Sequence, residues 1–473
     1  MTRAVILATN KQEDYDNQNV SLTSEGRDII VVSDLHLAGG RDNSGRYSGT
    51  ENFFADGSFA RFTHYIKQSQ TGAKRILIIN GDFIDFLRVV DTPEGNGFQE
   101  WHDELASIGY RKTLDELKIC VDDKERKFGL RTHDYKSIWK LYVVWRGHRE
   151  LFTSLALWVA NGNKLVITKG NHDLEWFYPC VRAYFCELLT RDGAPKDADI
   201  LFIDHSLTID NTFHIEHGHR YDKFSTVVGD PFFADTEELN IPFGSFFNRY
   251  LINTIELEFP FLDNVKPAEN IVSILIRERF PLALKIFGWQ VWFLLKMVKK
   301  RYWHFMFAKS LGILASLLVP VGVVIYILLK TDFFASISEL ALPGFVMSGL
   351  TSIGGMIMSY VLSRLVAKLG LKEPTALGDS AREHFKNNSA HSLITLGHTH
   401  HPDEFYEDGK QFFNTGTWIP IIETSSAEVS YERTFTYLYV HSTAQGLRPE
   451  HLMKWNDDAG RGEPVRLIRK KDQ

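Results

Sequence analysis

Short apolar runs that break off into polar clusters constrain this chain more than any other feature. Ile29–Val32 runs into Ser33-Asp34-Leu35-His36, and Arg75–Asn80 into Gly81-Asp82. Leu165–Thr168 leads to Gly170-Asn171-His172-Asp173, and Thr212–Glu216 to His217-Gly218-His219. Far downstream, Ser392–Leu396 opens into Gly397-His398-Thr399-His400. Each run reads as a buried strand whose C-terminal end carries carboxylate, amide or imidazole groups. Lys410–Asn414 and Thr434–His441 read as further strands, while Leu114–Glu125 and Ser137–Val159 read as helices. Strands alternating with helices predict a layered α/β fold, which gathers ligand groups at the carboxyl ends of its strands.

Composition removes several other classes. Of 473 residues, 44% are hydrophobic and 24% charged, which excludes a disordered or fibrous chain. The length predicts about three domains. A net charge of −6 speaks against nonspecific nucleic-acid binding, so no nucleic-acid partner is expected. Cys120, Cys180 and Cys186 cannot build a disulfide framework, which predicts a reducing compartment. The first residues turn polar within one short stretch, so no signal peptide is expected there.

Apolar residues are unevenly spread. Ser310–Leu329 and Leu340–Ser363 carry no charge, and twenty helical residues span about 30 Å, the depth of a bilayer core. Lys296, Lys299, Lys300, Arg301 and Lys309 precede the pair, and Arg364, Lys368 and Lys372 follow it. The pattern predicts a two-helix membrane hairpin with both flanks cytoplasmic, preceded by an interfacial helix over about 280–298. The expected organisation is one folded domain over 28–224 and 386–445, a helical insertion over 225–385, and a tail over 446–473. The expected localisation is a multi-pass membrane protein with that domain in the cytoplasm.

The strand-end clusters supply Asp34, His36, Asp82, Asn171, His217, His398 and His400. Oxygen and imidazole donors without cysteine suit Mn²⁺, Fe or Zn²⁺. Seven donors exceed what one tetrahedral ion takes and suit two ions sharing a bridge, the arrangement that drives phosphoryl displacement. His219 is a rival to His217 in the fourth cluster. Gly81, Gly170, Gly218 and Gly397 permit tight turns beside the donors.

In order, DLH at 34–36, GDFID at 81–85, GNHD at 170–173, HGH at 217–219 and GHTH at 397–400 resemble the five motifs of the calcineurin-like metallophosphoesterases. The resemblance covers about 28–220 and 390–442. It implies an αββα sandwich, here interrupted by the helical insertion. It implies one ion on Asp34, His36, Asp82 and His400, and a second on Asp82, Asn171, His217 and His398. A hydroxide shared by the two ions would attack phosphorus. His172 would stabilise the transition state or protonate the leaving oxygen, with Asp173 and Asp85 orienting histidines. Within the family the strings SDLHL, His400-His401-Pro402 and Asn414-Thr415-Gly416 are nearest the UDP-2,3-diacylglucosamine pyrophosphohydrolases. Some of those enzymes carry Arg where this chain has His172, and they are shorter and only peripherally attached to membranes.

Between the second and third motifs, 84–162 is rich in aromatic and basic residues, among them Trp101, Tyr110, Trp139, Tyr142 and Trp145. It is expected to form a helical cap that holds a lipid tail or a base over the metals, with Arg88 as a phosphate clamp. The expected partner is a phosphorylated small molecule or a lipid-linked phosphate. The alternatives are a tethered protein or nucleotide phosphatase and a non-catalytic membrane scaffold.

Overall fold

The apolar runs become strands buried on both faces. The computed structural model describes residues 19–42, 44–68, 73–233, 235–257, 265–266, 377–423, 428–430, 434–465 and 467. The strands that build the two main sheets are β1 (Asn19–Leu22), β2 (Asp28–Val32), β3 (Arg75–Asn80), β4 (Lys164–Thr168), β5 (Ile200–Ile203), β6 (Ser206–Ile209) and β7 (Phe213–Glu216). They continue with β8 (Leu393–Leu396), β9 (Asp403–Glu407), β10 (Lys410–Asn414), β11 (Thr436–Thr443), β12 (Gly446–Pro449), β13 (Met453–Asn456) and β14 (Arg461–Pro464). One sheet runs β14-β13-β11-β2-β3-β4-β5, with β12 beside β11; the other runs β1-β6-β7-β8-β10-β9. The β2–β5 strands are mutually parallel, and β7, β8 and β10 are parallel in the second sheet.

Alternation assigns each residue to a layer. Ile29, Val31, Ile76, Ile78 and Val166 face the second sheet and meet Leu207, Ile209, Phe213, Ile215, Leu393 and Phe413. Ile30, Val32, Leu77, Ile79, Leu165 and Ile167 face the helices. Two-sided burial is why these strands read as continuous apolar runs rather than alternating ones. On the outer face of the second sheet, Ile394, Leu396 and Phe412 pack on Leu377, Ala381 and Phe385 of the segment that forms α8 (Gly378–Asn387). The fold is therefore mixed α/β, with both sheets containing parallel strands.

The helical side is more broken than the sequence suggests. Leu114–Glu125 forms two helices, α3 (Leu114–Ile119) and α4 (Asp123–Phe128), because the Asp122 side chain caps Glu125 N at 2.8 Å and starts a new helix. Ser137–Val159 also splits, into α5 (Asp134–Gly147) and α6 (Arg149–Ala160). At the break, His148 is wholly buried, with Nδ1 3.0 Å from Asp56 and Nε2 3.1 Å from Glu51. The same Glu51 carboxylate accepts from the backbone N–H of Gly40 at 2.6 Å and Phe53 at 2.8 Å, which fixes the loop after β2. Burial works against the imidazolium, but Glu51 and Asp56 outweigh it and push the His148 pKa up to about 10.

Residues 1–264 and 374–473 form one compact unit, and Val265–Glu373 a second. The insertion expected over 225–385 overlaps the first unit at its two ends, over 225–257 and 377–385. Residues 225–257 stay with the first unit because a helical run over 243–256 buries Asn248, Arg249, Asn253 and Glu256 against it. Asn253 donates to Leu87 O at 2.7 Å, Arg249 to Gly129 O at 2.8 Å, and Ser245 to Asn171 O at 3.1 Å. Among the described residues no helix is long and apolar enough to cross a membrane. The interfacial helix expected over 280–298 and the spans expected over 310–329 and 340–363 lie outside the described residues.

The raised His148 pKa makes stability pH-dependent. An imidazolium favoured in the folded state contributes fully below the unfolded pKa of about 6.5, and that contribution is lost as pH rises toward about 10. Urea denaturation of the wild type across that window is expected to show this fall. His36 and His217, raised in the same way, act in the same window, so His148→Gln is expected to make the fall shallower without abolishing it and to cost about 3–5 kcal/mol at pH 6, the range for removing one partner of a buried charge pair.

Candidate metal centre

Five loops, all leaving the carboxyl ends of parallel strands, converge where the two sheets meet. Those after β2, β3 and β4 bring Asp34 and His36, Asp82 and Asp85, and Asn171 and His172. Those after β7 and β8 bring His217, and His398 and His400. Cross-sheet hydrogen bonds hold the junction. His217 Nδ1 lies 2.9 Å from Asn80 O, Asn80 Nδ2 donates to Glu216 O at 2.8 Å, and Thr415 donates to Ser33 at 2.8 Å.

The backbone there is strained. Asp34, His36, Asp82, His398 and His400 have φ of 54°, 52°, 48°, 69° and 57°. Left-handed conformation costs a non-glycine residue about 1–2 kcal/mol. Five of the seven expected ligands adopt it, so the surrounding contacts enforce it, as happens at functional sites. Glycine is required at close approaches. A Cβ on Gly397 would lie 2.6 Å from Asp34 Oδ2, and a Cβ on Gly170 would collide with Asp82.

Donor atoms converge in two groups. In the first, His36 Nε2 is 2.9 Å from His400 Nε2, and His400 Nε2 is 3.3 Å from Asp34 Oδ1. His36 Nε2 also stands 3.7 Å from Asp82 Oδ2. In the second, His217 Nε2 is 3.1 Å from Asp82 Oδ2, and His398 joins them. Asp82 thus touches both groups. Two ligands at right angles about an ion, with bonds of about 2.1 Å, stand about 3.0 Å apart, close to these separations. His217 rather than His219 joins Asp82 and His398, while the His219 ring sits 5.4 Å from that of His217.

Charge explains why the cluster suits a cation. Asp34 and Asp82 are buried, which by itself would favour their neutral forms. Nearby histidines, His217 foremost, outweigh burial and hold both carboxylates well below the usual range. In return His36 is pushed up to about 10 and His217 to about 9 by the carboxylates, against burial. Even so, Asp34 Oδ1, Asn171 Oδ1 and His217 Nε2 are buried without a hydrogen-bond partner. Such orphans are costly and rare in a folded chain. All three belong to the expected ligand set, so these residues fit divalent ions.

The supporting residues differ from expectation in three places. Asp85 does orient histidines: its Oδ2 is 2.8 Å from His172 Nδ1 and 3.2 Å from His36 Nδ1. Asp173 does not. It accepts the N–H groups of Gly170 at 2.6 Å and Phe83 at 2.9 Å, tying the third loop to the second, and burial followed by Asp82 pushes it up to about 7. Arg88 is not a free phosphate clamp. It is 1% exposed and paired with Asp85 and Glu256, so its charge is committed inside the protein. The aromatics of 84–162 pack on one another: Trp101 stacks on Tyr135 with centroids 5.8 Å apart, and Trp139 donates to Asp91 O at 3.0 Å. Trp101 and Trp139 belong to the helical core instead of facing a ligand. Glu256 and Asp222, whose Oδ2 lies 3.3 Å from His398 Nε2, carry no sequence signal. Glu256 lies with Glu258 in an otherwise apolar run, and Asp222 follows the fourth motif by three residues without being part of it.

Two expectations follow. Asp85→Asn is expected to weaken Mn²⁺ binding about 10–100-fold in calorimetric titration, the usual effect of losing a ligand-orienting carboxylate. Arg88→Met is expected to destabilise the fold by about 3–5 kcal/mol in urea, because the buried carboxylates of Asp85 and Glu256 lose the guanidinium they share. No protein-family model matches this chain, and no curated protein matches it.

Proposed function

We propose that the chain is a dinuclear-metal phosphoesterase of the calcineurin-like kind, hydrolysing a phosphoester or pyrophosphate bond on a metallophosphoesterase-type αββα sandwich. The observation that carries this reading is that Asp34, His36 and His400 gather their ligand atoms at one point and Asp82, His217 and His398 at another, with Asp82 Oδ2 3.7 Å from His36 Nε2 and with Asp34 Oδ1 and His217 Nε2 buried without a hydrogen-bond partner. Asp34, His36, Asp82 and His400 would hold one ion; Asp82, Asn171, His217 and His398 would hold the other. Mn²⁺ fits this mixed carboxylate, amide and imidazole set, with Fe or Zn²⁺ as alternatives. Bound ions would neutralise phosphoryl charge and acidify a water.

The chain's own residues then divide the remaining work. Asp85 fixes Nδ1 of His172 and, together with Asp82, raises its pKa against burial. The imidazolium keeps one orientation and has its Nε2 proton to give to the leaving oxygen. At 15% exposure, the His172 side chain is open where Asp82 and His217 beside it are closed. Asp173 is a positioning residue that holds the loop presenting Asn171 and His172.

The sequence pattern over 310–329 and 340–363 supports a membrane hairpin, a cytoplasmic catalytic unit and a lipid-linked phosphate as substrate. The test uses the detergent-purified, Mn²⁺-loaded full chain with a generic phosphate diester and a generic monoester. Wild type is expected to cleave the diester, and Asp82→Ala to fall to background. His172→Gln is expected to lose about 10²–10⁴-fold in kcat with both ions still bound. Wild type that neither binds divalent ions nor cleaves either ester would overturn the reading. Full turnover of a hydrophilic substrate without membranes or detergent would overturn the lipid part alone.

A further inference from the structure

A second cluster lies on the far side of β7 from the inter-sheet core. Phe213 and Ile215 enter that core, so the alternate residues His214 and Glu216 face outward. There His214 meets His384 of α8 and His391 of the turn before β8. The ring centroids of His214 and His384 are 4.2 Å apart, and each lies 5.1 Å from that of His391. Ligand atoms of all three lie within 4.8 Å of one another. His384 Nε2 and His391 Nδ1 are 2.8 Å apart.

His214 is 5% exposed, and neither of its ring nitrogens has a hydrogen-bond partner. The Glu216 carboxylate stands 3.4 Å from Nε2 and accepts from Tyr221 Oη. An imidazole buried with both nitrogens unmet is costly unless something outside the chain meets them. We propose that His214, His384 and His391 form a separate site for one Zn²⁺ ion, which pins α8 to β7. Three imidazoles with a fourth position for Glu216 or water are a common ligand set for Zn²⁺. The three rings lie near-parallel, inclined by 14–31°, and a bound ion would require them to turn toward a common point. Burial and the neighbouring His214 lower the pKa of His384 and His391, so both offer lone pairs at neutral pH.

The site shares no residue with the proposed dinuclear centre, so the two are tested apart. The full chain in detergent is stripped with chelator, loaded with Zn²⁺, desalted and assayed for metal by mass spectrometry. Asp82→Ala, with its dinuclear centre disabled, is expected to retain one Zn²⁺ through this site. Adding His384→Gln is expected to remove that equivalent and to abolish the rise in melting temperature on Zn²⁺ loading. In the wild-type background, His384→Gln or His391→Gln is expected to lose one Zn²⁺ while Mn²⁺-supported ester cleavage is kept. His384 and His391 are half-buried, so neither change opens the core. Equal Zn²⁺ content with and without His384→Gln in both backgrounds would overturn the proposal, whatever the ester assays show.

Discussion

Burying Asp34 and Asp82 at the junction of two sheets is the constraint that the rest of the structure answers to. Two ionised carboxylates out of water are costly unless cations or donors surround them. The chain surrounds them with imidazoles drawn from four loops, and with backbone N–H groups such as those of His172 on Asp82 at 2.8 Å and His398 on Asp34 at 3.0 Å. The strained backbone at five of the donors and the obligatory glycines beside them are consequences of that crowding. Each donor sits where its loop would not place it unaided.

Buried charged pairs behind the candidate ligands hold those loops in place. Glu51 and His148 brace the loop after β2, while Arg88 and Glu256 brace the one after β3. Lys140 and Glu175, both about 1% exposed, face each other at 3.4 Å beside the loop after β4. Buried pairs of this kind add little net stability, but removing one partner is expensive. Their effect is to specify loop conformation. Residues 84–162 and 225–257 belong to the same compact unit as the converging loops, although neither segment supplies a residue of the candidate metal centre.

The loops that carry the candidate ligands were legible in the sequence because strand ends advertise themselves. A short apolar run followed by Gly, Asp or His leaves few alternatives, and β3 and β10 begin and end at the expected residues. What sits around the donors was not legible. Nothing at Arg88 marks it as the partner of Glu256, since the two are far apart in sequence and paired only by the fold. The break at His148 escaped because apolar periodicity continues through it, whereas a buried charge network decides the backbone. The aromatics of 84–162 were expected over a ligand; a small helical layer needs its large side chains for its own core. His214 read as an ordinary strand residue, since its two companions come from beyond residue 380.

The position of β2 has a consequence for how the protein is made. Its neighbours are β3 and β11, with Val31 paired to Leu438. A ribosome adding about 5–20 residues per second needs roughly 20–80 s to travel between those two residues. Throughout that interval one edge of the central strand is unpaired, and Ile29 and Val31 lack the Leu438 and Val440 side of their core. Everything between 33 and 435 is synthesised while this edge is open. An unpaired apolar strand edge invites pairing with other chains. The nascent protein therefore carries an open apolar edge at the strand that will later hold Asp34, and that edge closes only once Leu438 has emerged.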